Sequence, residues 1–247
     1  MQGGPAPADA RDPNAYSDGY TLTQGPYVRA NIRELKLADE HLFWAVLADS
    51  FEYQNDNEGF FYDVQGWYGG VYNKFVVKAE GDYADSRLQE NQLDLLWGRA
   101  INAYFDTQLG VRLDQYEAGE NRQWLAFGVQ GLAPYWFELD ITGYVGDRGR
   151  TALDIEAEYE VRLTQRLFLQ PRAEINFYGK DDPANDIGSG LSNASLGLRL
   201  RYEIRRQFAP YIGLQWSKAY GDTADFIRAD GEDVSETQWV AGIRFWF

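Results

Sequence analysis

Residues 135–146, YWFELDITGYVG, alternate with a period of two: Tyr135, Phe137, Leu139, Ile141 and Val145 share one face, and Trp136, Glu138, Asp140, Thr142 and Tyr144 the other. Only an extended strand keeps two such sets apart, because a helix of 3.6 residues per turn would smear both around its circumference. The next segment repeats the pattern, with Leu153, Ile155, Ala157, Tyr159, Val161 and Leu163 against Asp154, Glu156, Glu158, Glu160 and Arg162. The same holds for 167–178, 195–205 and the C-terminal stretch with Trp239, Ala241, Ile243, Phe245 and Phe247 on one parity. In the first candidate strand the parity is ambiguous, because Phe43, Ala45 and Leu47 compete with Trp44, Val46 and Ala48 for the apolar face.

The links between these strands alternate in length. Short ones fall near 69–73, 100–103, 132–135, 164–166 and 205–208, and longer polar ones near 54–59, 81–86, 116–121, 146–150, 179–191 and 220–235. Eleven links imply twelve strands, placed near 42–53, 60–69, 72–81, 87–99, 103–115, 122–132, 135–146, 151–164, 166–178, 192–205, 208–219 and 236–247. An even number of strands with short turns at one end and longer loops at the other is the layout of a transmembrane antiparallel β-barrel with both termini periplasmic.

Composition fits that reading. The chain is 16% aromatic yet has a mean hydropathy of −0.50. A barrel reconciles the two, since outward apolar and inward polar residues average to a polar mean. The longest apolar run, 42–48, is far short of the roughly 20 residues of a spanning helix. A soluble β-sandwich also alternates. Aromatics recurring at strand ends on the apolar parity (Trp97, Tyr135, Tyr202, Trp216, Trp239, Phe247) suit membrane-interface girdles better. The opening MQGGPAPADARDPNAY is rich in Pro, Gly, Ala and Asp, so 1–40 reads as a flexible periplasmic tail and 41–247 as the barrel.

With no Cys, one His and one Met, the chain carries no disulfide, cysteinate metal site or cysteine nucleophile. A net charge of −15 argues against nucleic acid as a partner. The polar parity is heavily charged: Glu138, Asp140, Asp154, Glu156, Glu158 and Glu160 on some strands, and Arg112, Arg162, Arg172, Arg199, Arg201, Arg205 and Arg244 on others. These residues either pair across a narrow lumen or polarise a channel. Same-face neighbours on one strand lie ~6.6 Å apart, so tight chelation of a small ion needs ligands from adjacent strands. His41, with Asp39 and Glu40 beside it, is a candidate metal ligand at the periplasmic start of the first strand. A hydrolase would have to pair His41 with a nucleophile such as Ser50, and no motif supports one.

Several long segments, QGWYGGVYNKF (65–75), AFGVQGLAPYWFELD (126–140), YVGDRGRTALDIEAEYE (144–160), LTQRLFLQPRAEINFYGKDD (163–182), GSGLSNASLGLRLRYEIRRQFAPYIGLQW (188–216) and VAGIRFWF (240–247), resemble the copper resistance protein B family. The resemblance implies a non-enzymatic barrel in the outer-membrane lipid. Such a barrel works with a periplasmic multicopper oxidase, copper resistance protein A, and exports or sequesters copper ions at the periplasmic side. Copper is then substrate or bound cargo and not a catalytic cofactor. Members of the family commonly carry a Met- and His-rich segment before the barrel, and no such cluster stands here. The expected copper-handling residues are therefore His41, Asp39, Glu40, Asp140, Asp154, Glu156 and Glu158. Two other readings stay open: a passive small-solute channel guided by Arg199, Arg201 and Arg205, and a plugged barrel that docks the oxidase without conducting.

Overall fold

A computed structural model describes residues 41–55, 59–84 and 87–247, together with Asp18. The tail expected over 1–40, and with it Asp39 and Glu40, lies outside the described residues.

The first six strands are β1 (Phe43–Gln54), β2 (Gly59–Gly69), β3 (Asn73–Ala84), β4 (Arg87–Ala100), β5 (Phe105–Tyr116) and β6 (Arg122–Ala133). They are followed by β7 (Phe137–Gly146), β8 (Thr151–Glu158), β9 (Val161–Arg162), β10 (Leu167–Tyr178), β11 (Gly190–Tyr202) and β12 (Phe208–Ala219). A helix α1 (Gly221–Asp230) and a last strand β13 (Ser235–Trp246) complete the chain. Chain neighbours pair antiparallel and β1 also pairs with β13, so the sheet closes on itself. Closure leaves no edge with unpaired backbone groups, the condition for strands to cross a bilayer. β8 and β9 are two pieces of one wall strand: Glu158 faces Arg172 and Arg162 faces Phe168 on β10, with a break at Tyr159–Glu160. The thirteen stretches thus form the expected twelve staves.

The ambiguous parity of β1 has a structural cause. Its register with β2 shifts between Ala48 and Ser50, leaving Asp49 as the extra residue of a β-bulge. A bulge exchanges the two faces of a strand. Trp44 and Val46 are accordingly exposed on the outside before it and Phe51 and Tyr53 after it, while Ser50, Glu52 and Gln54 are buried.

Three links differ from the expected layout. Residues 134–136 form a tight turn in which Tyr135 and Trp136 have φ of 68° and 69°. Tyr135 therefore tips the turn instead of opening β7, at a backbone cost of about 1–2 kcal/mol per left-handed residue. β3 runs on to Ala84 because Gly81 and Asp82 stay in the ladder opposite Asn91 and Glu90. Gly81 looks like a turn residue in sequence but marks close packing, since a Cβ there would lie 2.6 Å from the Glu90 carbonyl oxygen. The 220–235 link contains α1, closed by Gly231 (φ 84°), whose N–H donates to the Arg228 carbonyl. α1 is pinned where Thr223 Oγ1 accepts from the Gly188 N–H at 2.8 Å and lies 2.8 Å from Ser192 Oγ. Only glycine fits at 188, where a Cβ would come within 2.3 Å of the Thr223 nitrogen.

Outside, Leu109, Leu125, Phe127, Ile141, Leu196, Leu198 and Ile212 are exposed along the strands. Aromatic bands flank them, with Tyr68, Trp97, Tyr202 and Phe208 toward the tight turns and Tyr53, Phe60, Tyr83 and Trp239 toward the loops. This apolar band between two aromatic girdles is the surface a bilayer requires. Among the described residues no helix is long and apolar enough to cross a membrane.

Candidate functional site

The inward parity encloses a cavity of about 400 Å³, room for roughly a dozen waters. Its lining contains ten carboxylates (Asp49, Asp63, Glu80, Asp94, Glu138, Asp140, Asp154, Glu156, Glu158 and Glu174) against three cations (Lys78, Arg112 and Arg172). The carboxylates are not dispersed. Glu138 faces Glu158 and Asp140 faces Glu156 across β7 and β8, and Glu156 faces Glu174 across β8 and β10. Directly opposed like charges oppose folding. A wall built this way is held together by the rest of the barrel, which makes it a candidate for function.

The three cations sit at different heights. Arg172 reaches Glu156 at 2.6 Å and Asp63 at 3.4 Å. Arg112 holds Asp154 at 2.6 Å and Asp114 at 2.8 Å, lies 4.7 Å from the centre of the Tyr144 ring, and also donates to Gln92. Lys78 pairs with Asp140, which accepts from Thr142 at 2.8 Å. Among the described residues no cation lies within 4.0 Å of the carboxylates of Glu80, Asp94, Glu138, Glu158 or Glu174. Asp94 Oδ1 and Glu158 Oε1 are buried without a hydrogen-bond partner. The described residues contain no group of three His, Cys, Asp or Glu close enough to chelate an ion directly.

On the opposite wall the charges are matched. Glu52, 0% exposed, accepts from Arg199 Nη2 at 2.9 Å, Arg199 Nε at 3.1 Å and Tyr211 Oη at 2.9 Å. Arg244 bridges Asp49 at 2.7 Å and Glu160 at 2.8 Å, and Arg201 joins Glu160 and Gln170. Arg199 and Arg201 are therefore engaged. Arg205 lies in the β11–β12 turn and Arg162 is exposed beyond the strand break with its guanidinium 5.5 Å from the Phe168 ring, so neither joins a lumenal row of arginines.

At the loop end the lumen meets a packed layer of Trp124, Tyr178 and Tyr144, with Trp124 Nε1 donating to Asp114 at 2.6 Å. Above it the 179–189 loop is clasped. Asp182 accepts from Arg122 Nε and Nη2, both at 2.7 Å, and from Asn185 Nδ2 at 3.0 Å. The Arg122 guanidinium holds the Asp182 carboxyl below the usual carboxylate range.

Of the residues singled out in sequence, Asp140, Asp154, Glu156 and Glu158 line this one cavity together. His41 stands apart, exposed before β1 with its ring 6.2 Å from that of Phe43, and Ser50 is buried within the strand. Asp63, Glu80, Asp94 and Glu174 were legible from the polar parity of their own strands but were not singled out. Asp49 was hidden by the bulge. The Arg122–Asp182 clasp joins residues 60 apart and has no local signal.

The family model described as "Copper resistance protein B precursor (CopB)" matches residues 42–247. The chain is 43% identical over 203 residues to a copper resistance protein B homolog of Pseudomonas syringae pv. tomato, covering 81% of this chain and 69% of that one. It is 42% identical over 219 residues to a copper resistance protein B of Escherichia coli, covering 88% of this chain and 74% of that one. Among solved structures, the NanC porin overlaps 82% of this chain and 99% of its own, with a TM-score of 0.52 at 10% identity, a likeness of fold. A barrel with the topology of outer-membrane porins, carrying this sequence over its whole wall, belongs to the copper resistance protein B family.

Proposed function

We propose that the barrel sits in the outer membrane with its termini and tight turns on the periplasmic side, and that its acidic lumen exports or sequesters copper ions, without enzymatic chemistry, in concert with a periplasmic multicopper oxidase, copper resistance protein A. The observation that carries this reading is the imbalance of ten carboxylates to three cations around one cavity. Such a wall concentrates cations whatever their identity, and its low-dielectric surroundings strengthen the effect. Family membership supplies the metal. The outward apolar band and aromatic girdles support the membrane location, and the short turns support the orientation.

The test is conductance of the purified barrel in planar bilayers. Wild type passes cations in preference to anions, and Glu156→Gln with Glu158→Gln reduces that preference; a barrel that conducts nothing overturns the channel. The Arg122–Asp182 clasp favours a second reading, a closed barrel that docks the oxidase. That reading predicts unchanged copper resistance after the lumenal substitutions and loss of resistance when the turns at 70–72 or 134–136 are altered.

A further inference from the structure

We propose that Glu158 and Glu138 form a binding station for a hydrated divalent cation at the part of the cavity nearest the tight turns, so that the copper taken by the lumen is Cu(II) and not Cu(I). The two carboxylates face each other in register on β8 and β7 and both line the cavity. Glu158 is 6% exposed, and its Oε1 is buried with no hydrogen-bond partner. An uncompensated buried carboxylate oxygen of this kind costs free energy unless a ligand or water answers it. The wall strand breaks one residue further on, at Tyr159–Glu160, where irregular backbone separates Glu158 from the matched Glu160–Arg201–Arg244 network. No cation of that network contacts Glu158 or Glu138, although Arg244 attracts both through space.

The ligand class follows from the donors. Among the described residues no His or Met lines the cavity, and the chain has no Cys, so nothing described there suits the soft Cu(I) ion. Carboxylate and water suit hard and borderline divalent ions. Among the described residues no three acidic groups converge for direct chelation, yet the cavity holds about 400 Å³. An ion there keeps most of its water and meets the two carboxylates directly through one or two oxygens, or through its hydration shell.

This inference rests on the copper reading, and the experiment separates the two. The full chain in detergent is titrated with Cu(II), with Mn(II), and with Cu(I) under anaerobic reducing conditions, following Cu(II) and Mn(II) by electron paramagnetic resonance and all three by calorimetry. Glu158→Gln and Glu138→Gln each weaken Cu(II) and Mn(II) binding about tenfold or more. Asp225→Asn on the exposed face of α1 binds as wild type. Glu158→Asp, which keeps the charge, retains binding, and electrophoretic heat-modifiability confirms that every variant is folded. Wild-type Cu(II) and Mn(II) affinity in folded Glu158→Gln overturns the station. Cu(I) binding as tight as Cu(II), and lost in Glu158→Gln, overturns the assignment of oxidation state. Mn(II) binding lost in the variants, with no Cu(II) binding in wild type, leaves the station standing and sinks the copper reading.

Discussion

The two walls of the lumen use the same residue types to opposite ends. Along β11, β12, β13 and β1, Arg199, Arg201 and Arg244 are answered by Glu52, Glu160 and Asp49. Along β7, β8 and β10, carboxylate faces carboxylate and a cavity remains. Buried charge tolerates a membrane barrel's interior only when it is paired or reached by water. The first wall satisfies the rule by pairing and the second by leaving room, so the first is read as structure and the second as function.

Removing Glu52 breaks this contrast hardest. Glu52→Ala leaves Arg199, 4% exposed, without its carboxylate, and is expected to lower stability by about 3–5 kcal/mol in urea unfolding from lipid vesicles. A loss under ~1 kcal/mol would show that the matched wall does not hold the barrel together. An intermediate effect is expected at the clasp, where Asp182→Asn costs about 2–3 kcal/mol locally. It shows as faster hydrogen exchange at Asp182 and Ile187, whose backbones pair at 2.7 and 3.2 Å, with the strands unaffected. The pH dependence has a definite sign. Because the folded carboxyl of Asp182 titrates below its ordinary value, the clasp's contribution is present above the ordinary carboxylate pKa of ~3.9 and is lost as pH falls through the folded value. Protection factors in the 179–189 loop, taken relative to the intrinsic exchange rate at each pH, that do not fall in acid contradict the clasp.

The smallest effect has the opposite sign. Glu174→Gln removes one of two directly opposed charges and is expected to stabilise by about 0.2–1 kcal/mol in the same unfolding assay, while lowering cation preference in bilayers. Destabilisation instead would place Glu174 among the structural charges and erase the distinction between the walls.

Most of the barrel was legible in the chain because a strand in a closed sheet has only two environments, lipid and lumen. Residues such as Ile141 and Thr142 report them alternately. The parity of β1 was not legible, because the Asp49 bulge is a fact of pairing with β2. Nor was α1, whose residues carry no period-two signal and whose anchor, Thr223, meets Gly188 from a different loop. The site divides the same way. Asp140, Asp154, Glu156 and Glu158 were visible as a row on the polar parity. That Asp154 and Glu156 are held by Arg112 and Arg172 while Glu158 keeps an unmatched oxygen is decided across the lumen.

Alternation, turn spacing and the lack of Cys with one His and one Met settled by themselves that this chain closes into a twelve-stave barrel, with an interior of carboxylates and arginines instead of soft metal ligands. Those properties are local: a side chain's face follows from its position in its own strand. Which charges cancel, which carboxylates remain unmatched and where the loop end is clasped depend on strands far apart in the chain, 147 residues in the case of Arg199 and Glu52. Hydrogen bonds and ion-pair contacts form only within a few ångströms, so only the closed tertiary structure, by fixing those distances, decides them.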